Sequence, residues 1–98
     1  MSIILKYEVP IPDKDFLSLV VLPAGGIIRH VASQEWGDEK MFIWVESPGD
    51  KDWATKLYMR KIWVFPTGEP FDPAEKTFLG TVIMRREGLV WHLYEEKP

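Results

Sequence analysis

The chain has 98 residues and no cysteine, which excludes disulfides, thiolate metal sites and a cysteine nucleophile. Its 12 basic and 15 acidic residues give a net charge of -3 and are mixed along the chain, so it lacks the basic face with which duplex-binding proteins release phosphate counterions. A hydrophobic content of 46%, with 13% aromatic residues, excludes a disordered chain and predicts one β domain over residues 1–98.

Short apolar or alternating runs, punctuated by Gly, Pro and Asp, predict strands throughout. Ile3–Val9 alternates, with Leu5, Tyr7 and Val9 on one face and Lys6 and Glu8 on the other. Pro10 and Pro12 end it, because proline has no N–H for a ladder. Phe16–Leu22 is apolar almost throughout, which predicts burial on both faces or cover from a loop. The Pro23–Gly26 turn leads into Ile27–Gln34. Lys40–Glu46 follows after a hairpin connection over Glu35–Glu39.

Ser47–Asp52 reads as a loop, and Trp53–Lys56 as at most one helical turn. Leu57–Phe65 is the longest strand, with Tyr58, Arg60, Ile62 and Val64 on one face and Leu57, Met59, Lys61, Trp63 and Phe65 on the other. Phe71–Lys76 reads as a turn, with Asp72 placed to cap a helical turn begun by Pro73. Thr77–Met84, the Glu87-Gly88 turn and Leu89–Glu95 complete a terminal hairpin. The expected architecture is all-β: about seven short antiparallel strands in a small sandwich or partly open barrel.

The start of the chain carries neither a basic segment nor an apolar stretch of the kind that directs export. No apolar run approaches the roughly 20 residues of a membrane-spanning helix. These features predict a cytoplasmic protein with no membrane partner and no duplex nucleic-acid partner.

His30 and His92 both fall inside strands. Paired, they would offer metal ligands or a base and its orienting group, but Arg29, Val31, Trp91 and Leu93 beside them supply no further ligands. The expected reading is structural, with no metal, no cofactor and no assigned catalytic residue. The acidic groups Asp13/Asp15, Glu35/Asp38/Glu39, Asp50/Asp52 and Glu95/Glu96 read as a solvated rim, and Asp50-Lys51-Asp52 lacks the ligand count of a calcium loop. Gly25-Gly26 opens a strand and not a helix, so it reads as a turn and not as a phosphate cradle.

The tryptophans carry more information. Trp44, Trp63 and Trp91 lie in strands, whereas Trp36 and Trp53 lie in or beside loops. Tryptophan on a loop either caps an open core or serves a partner surface, where it is enriched among the residues that dominate binding. Trp36, Trp53, Arg60, His30 and His92 are the candidate binding residues.

Lys6-Tyr7 followed by a proline-bearing turn, Ile27-Ile28-Arg29-His30-Val31, Thr67-Gly68-Glu69-Pro70, Phe78-Leu79-Gly80-Thr81 and the closing Val90-Trp91-His92-Leu93-Tyr94-Glu95 form an ordered pattern. In these segments the chain resembles a family of short, uncharacterised proteins encoded by bacteriophages and prophages, a domain of unknown function. The resemblance implies a phage origin, and with it the host cytoplasm, and a compact β domain. It transfers no catalytic residue, cofactor or partner. Members usually carry glycine before the Thr-Gly-x-Pro turn, where this chain has Pro66.

Three functions are compatible with these features. The leading one is a small non-catalytic accessory protein that binds a protein partner. The second is a barrel-type module for a small ligand or single-stranded nucleic acid, with aromatic rings as stacking platforms. The third is an enzyme using His30 or His92. Phe16–Leu22 and Leu57–Phe65 carry more apolar side chains than one inner face covers, which predicts a homodimer.

Overall fold

A computed structural model of the chain describes residues 1–36, 38–48 and 56–97, with the side chains of Glu35, Trp36 and Asp38 outside that description. Among the described residues there are seven strands and no helix: β1 (Ser2–Val9), β2 (Leu17–Pro23), β3 (Ile27–Trp36), β4 (Asp38–Pro48), β5 (Leu57–Pro66), β6 (Lys76–Met84) and β7 (Leu89–Glu96). They form two antiparallel sheets, one ordered β1-β4-β3 and the other β2-β5-β7-β6. The sheets stack as a sandwich, and among the described residues no ladder closes them into a barrel. The expected all-β fold is therefore a sandwich.

Period-two alternation builds the core. Val9 on β1, Met41, Ile43 and Val45 on β4, and Val31 on β3 point inward from the smaller sheet. They meet Val20 and Leu22 on β2, Ile62 and Val64 on β5, Val82 and Met84 on β6, and Leu93 on β7. Tyr7, Ile28, Leu79 and Trp91 pack around this cluster. Each inward residue is flanked by outward ones, as a pleated strand requires. Along one seam β3 meets β6, where the Ser33 hydroxyl donates to the Ile83 carbonyl at 2.8 Å.

Several elements differ from the sequence-based expectation. The hairpin connection is tighter than Glu35–Glu39, since β3 and β4 stay paired out to Trp36 and Asp38. Asp72 begins no helix; its Oδ1 accepts the Ala74 N–H at 2.9 Å in a local turn, and β6 starts directly afterwards at Lys76. The helical turn expected at Trp53–Lys56 lies outside the described residues except for Lys56.

The largest difference concerns β2. It is an edge strand buried on one face only: Ser18, Val20 and Leu22 point inward, while Leu19 and Val21 are 48% and 46% exposed. Burial on both faces would require a second layer outside the sheet, and no described loop passes over this part of it. The cover that does exist lies further along β5, over Phe65.

Candidate interaction surface

The outward face of the four-stranded sheet is divided into a covered half and a bare half. In the covered half, Phe65 projects outward from β5 yet is only 5% exposed. The loop after β5 places the Phe71 ring on it, stacked at 4.3 Å between centroids, and Phe16 tilts against it at 6.0 Å. Tyr94 on β7 lies 4.9 Å from Phe71 and 5.1 Å from Phe78 on β6. The loop is fixed locally, because Lys76 Nζ donates to the Asp72 carbonyl at 2.8 Å. The same ammonium sits 5.1 Å above the Trp63 ring, a cation–π contact.

The bare half lies over β2 and the first half of β5. Val21 pairs with Met59 and Pro23 with Leu57, so Leu19, Val21, Leu57 and Met59 project side by side from neighbouring strands. Leu57 and Met59 are 50% and 63% exposed. Scattered exposed aliphatic residues need no explanation, but a contiguous group on a flat sheet is the usual mark of an interaction site.

This patch opens into a cleft of about 620 Å³ lined by Tyr58, Met59, Arg60, Thr77, Glu95 and Lys97, among others. The cleft exists because β5 overhangs β7, whose pairing with β5 runs only from Ile62 to Pro66. Leu57–Lys61 therefore has a described strand on the β2 side alone. On the inner side of the cleft the Arg60 guanidinium is held bidentately by the Glu95 carboxylate, and its Nη1 donates to the Gly26 carbonyl at 2.6 Å. Arg60 is thus a fixed half of an ion pair tying β5, β7 and the β2–β3 turn together, and not a free cation. Lys61 is likewise paired with Glu96 at 3.2 Å.

The other candidate residues are dispersed. His92 projects from β7 beside Phe65, with Nε2 2.8 Å from Thr67 Oγ1 and Nδ1 3.1 Å from Thr81 Oγ1. His30 belongs to the other sheet, where its ring lies 5.4 Å from that of Trp44. The two imidazoles therefore stand in separate settings: His92 is held between two threonine hydroxyls, and His30 is exposed beside the Trp44 ring. Trp36 ends β3 with its side chain outside the described residues, and Trp53 lies outside them altogether.

Glu39 was expected on the solvated rim, and its position is different. It is only 9% exposed, and its carboxylate accepts the N–H groups of Arg85 and Arg86, both at 3.1 Å, while the Ser33 hydroxyl, 3.1 Å away, shares its one proton between Glu39 and the Ile83 carbonyl. It clasps the β6–β7 turn to the other sheet. No local sequence signal marks this role, because two of the partners are backbone groups 46 and 47 residues away. Tyr7, part-buried at the edge of the core, has its phenol pKa raised by desolvation.

Among the described residues no group of three or more His, Asp or Glu side chains could hold a metal ion. No helix among them is long and apolar enough to cross a membrane. No curated protein and no solved structure matches the chain significantly. One family model does match, over residues 1–98, and its description is "Domain of unknown function (DUF7352)". The chain, from its opening strand to its closing one, belongs to the DUF7352 family.

Proposed function

We propose that this domain is a small, non-catalytic accessory protein that binds a protein partner through the outward surface of β2 and β5. The observation that carries the reading is the contiguous exposure of Leu19, Val21, Leu57 and Met59 beside a cleft with an unaccompanied stretch of β5. An extended partner segment laid in the cleft gains backbone hydrogen bonds from β5 and side-chain contacts from Met59, the usual combination in strand addition. Bacteriophage origin and action in the host cytoplasm are part of this proposal and rest on the sequence resemblance alone. Self-association is proposed as well.

The test compares host proteins retained by the wild-type domain with those retained by Met59→Glu and Leu57→Glu. A partner that binds wild type and is lost from both folded variants supports the reading. A partner retained equally by all three proteins removes it.

A second reading, as a single-stranded nucleic-acid or small-ligand binder, draws on Phe78, which is 54% exposed, and on Lys76 above Trp63. Against it stand the mutual packing of the rings and the pairing of Arg60 and Lys61 with carboxylates. Titration with an oligothymidylate, followed by tryptophan fluorescence, distinguishes the two. An enzyme built on His30 or His92 has the least support, since the two rings sit on different sheets.

A further inference from the structure

Four strands border the two sheets, and three of them are covered or blunted. β3 and β6 face one another at the seam. β1 alternates Lys6 and Glu8 along its outward side. β2 comes near β1 over fewer residues than join β3 to β6, and its own sequence does not blunt it: Leu17–Pro23 carries no charge, shows no bulge, and has its only proline at the end. Soluble proteins generally blunt such an edge with charge, bulge or proline, so a bare one calls for a partner.

The hydrogen bonds of β2 define what that edge offers. Ala24 N–H donates to the Lys56 carbonyl at 2.6 Å, and Val64 N–H to the Phe16 carbonyl at 2.8 Å. In an antiparallel ladder these bonds set the phase: Ser18, Val20 and Leu22 exchange bonds with β5, and the odd-numbered residues between them turn their backbone groups to the open edge. One end of this edge is closed by Asp15, whose Oδ1 accepts the Leu17 N–H at 3.2 Å. At the other end Pro23 has no N–H, and its carbonyl accepts the Gly26 N–H at 3.0 Å. The donors left at the edge are those of Leu19 and Val21.

We infer that two copies of this chain pair antiparallel through β2, about a twofold axis at Val20. In that register Leu19 of each copy lies opposite Val21 of the other, and both donors and both acceptors of each pair are used. Moving the axis by one residue spoils the match. Centred on Leu19, it sets the Val21 carbonyl against the Leu17 N–H that Asp15 already holds. Centred on Val21, it sets the Leu19 carbonyl against Pro23, which has no proton to give. Because Leu17–Pro23 is uncharged, the strands meet without like-charge opposition.

The pairing specifies the self-association proposed above. It uses the backbone edge, whereas the partner reading uses the outward face. The two larger sheets become one continuous eight-stranded sheet, with the two Leu19/Val21/Leu57/Met59 patches adjoining across the axis. Strands of this length bury less than the roughly 800 Å² per partner of a standard interface, so association is expected in the micromolar range and above.

Cysteine cross-linking tests the register cleanly, because the chain has no cysteine of its own. Leu19→Cys and Val21→Cys proteins are oxidised mildly, separately and mixed. Directly opposed residues lie within the Cα spacing of a disulfide, whereas diagonal ones are about 7–8 Å apart. The mixed dimer is expected severalfold above either homotypic one. Sedimentation of the wild type should show its mass rising from 11.4 kDa towards twice that value with concentration. Leu19→Pro, which removes an edge donor and leaves the β2–β5 ladder intact, should stay monomeric with a native-like melt. A strictly monomeric wild type, or a dominant Leu19→Cys homodimer, overturns the inference. A dimer that survives Leu19→Pro but not Met59→Glu overturns edge pairing and leaves self-association through the outward face standing.

Discussion

A methyl group of Val31 stands 2.5 Å from the point where a side chain on Gly80 would begin. The seam between the sheets is therefore closed by the absence of a side chain on β6. Gly80 also has φ +153° and stands opposite Leu93 at the register shift that follows Phe78. Gly80→Ala is expected to cost about 1–3 kcal/mol from overpacking at the seam. Gly88→Ala, at φ +66° with nothing within 4 Å, should show the backbone strain of about 1–2 kcal/mol alone. Urea midpoints check both, and a wild-type midpoint for Gly80→Ala would show that Val31 gives way freely.

Removing the Glu39 carboxylate takes the acceptor from two backbone N–H groups, while the Ser33 hydroxyl keeps the Ile83 carbonyl. Hydrogen bonds to a charged group contribute about 1.5–3 kcal/mol, so Glu39→Ala should lose stability in that range. Glu39→Gln, which retains one acceptor oxygen, should recover part of it. Amide exchange at Arg85 and Arg86 reads the effect directly. Unchanged protection there in Glu39→Ala would mean that the turn holds itself.

Trp91 and Trp63 occupy opposite sides of the same sheet. Trp91 packs against the core, and its replacement by alanine is expected to cost about 3–5 kcal/mol. Trp63 lies outward, half-buried and stacked on Phe65 at 5.9 Å between centroids, and its replacement should cost about 2 kcal/mol. Denaturant midpoints for the two variants in parallel check the order; equal losses would place Trp63 inside the core as well.

Burial of Tyr7 raises its pKa above the usual tyrosine range by penalising the phenolate. Its contribution to stability is complete below the unfolded-state pKa and is lost as pH rises through the higher folded-state value. Stability should therefore fall in alkaline solution, and Tyr7→Phe should fall less steeply there. Melting curves of both proteins across that range measure the difference, and parallel curves would assign the loss to other groups.

Within a strand, the sequence by itself determined which side chains share a face, because the two-residue period is a local property of the backbone. Leu5, Tyr7 and Val9 share the inward side as their alternation requires, and Ile62 and Val64 do so on β5. The turns at Gly25 and Gly88 were equally legible from residue type. Which sheet a strand joins, and whether it stands at an edge, came only from tertiary structure. Phe16–Leu22 is apolar enough for a doubly covered strand, yet it lies at an edge because β5 takes it on one side and no described strand takes it on the other. The same holds for the functional surface. Met59 and Val21 become neighbours through a ladder between strands far apart in sequence, Arg60 meets Glu95 across 35 residues, and Glu39 meets Arg85 across 46. Such pairings follow from the closing of long loops and the packing of two sheets. Local hydropathy carries no record of either, since the same alternating pattern fits any strand order.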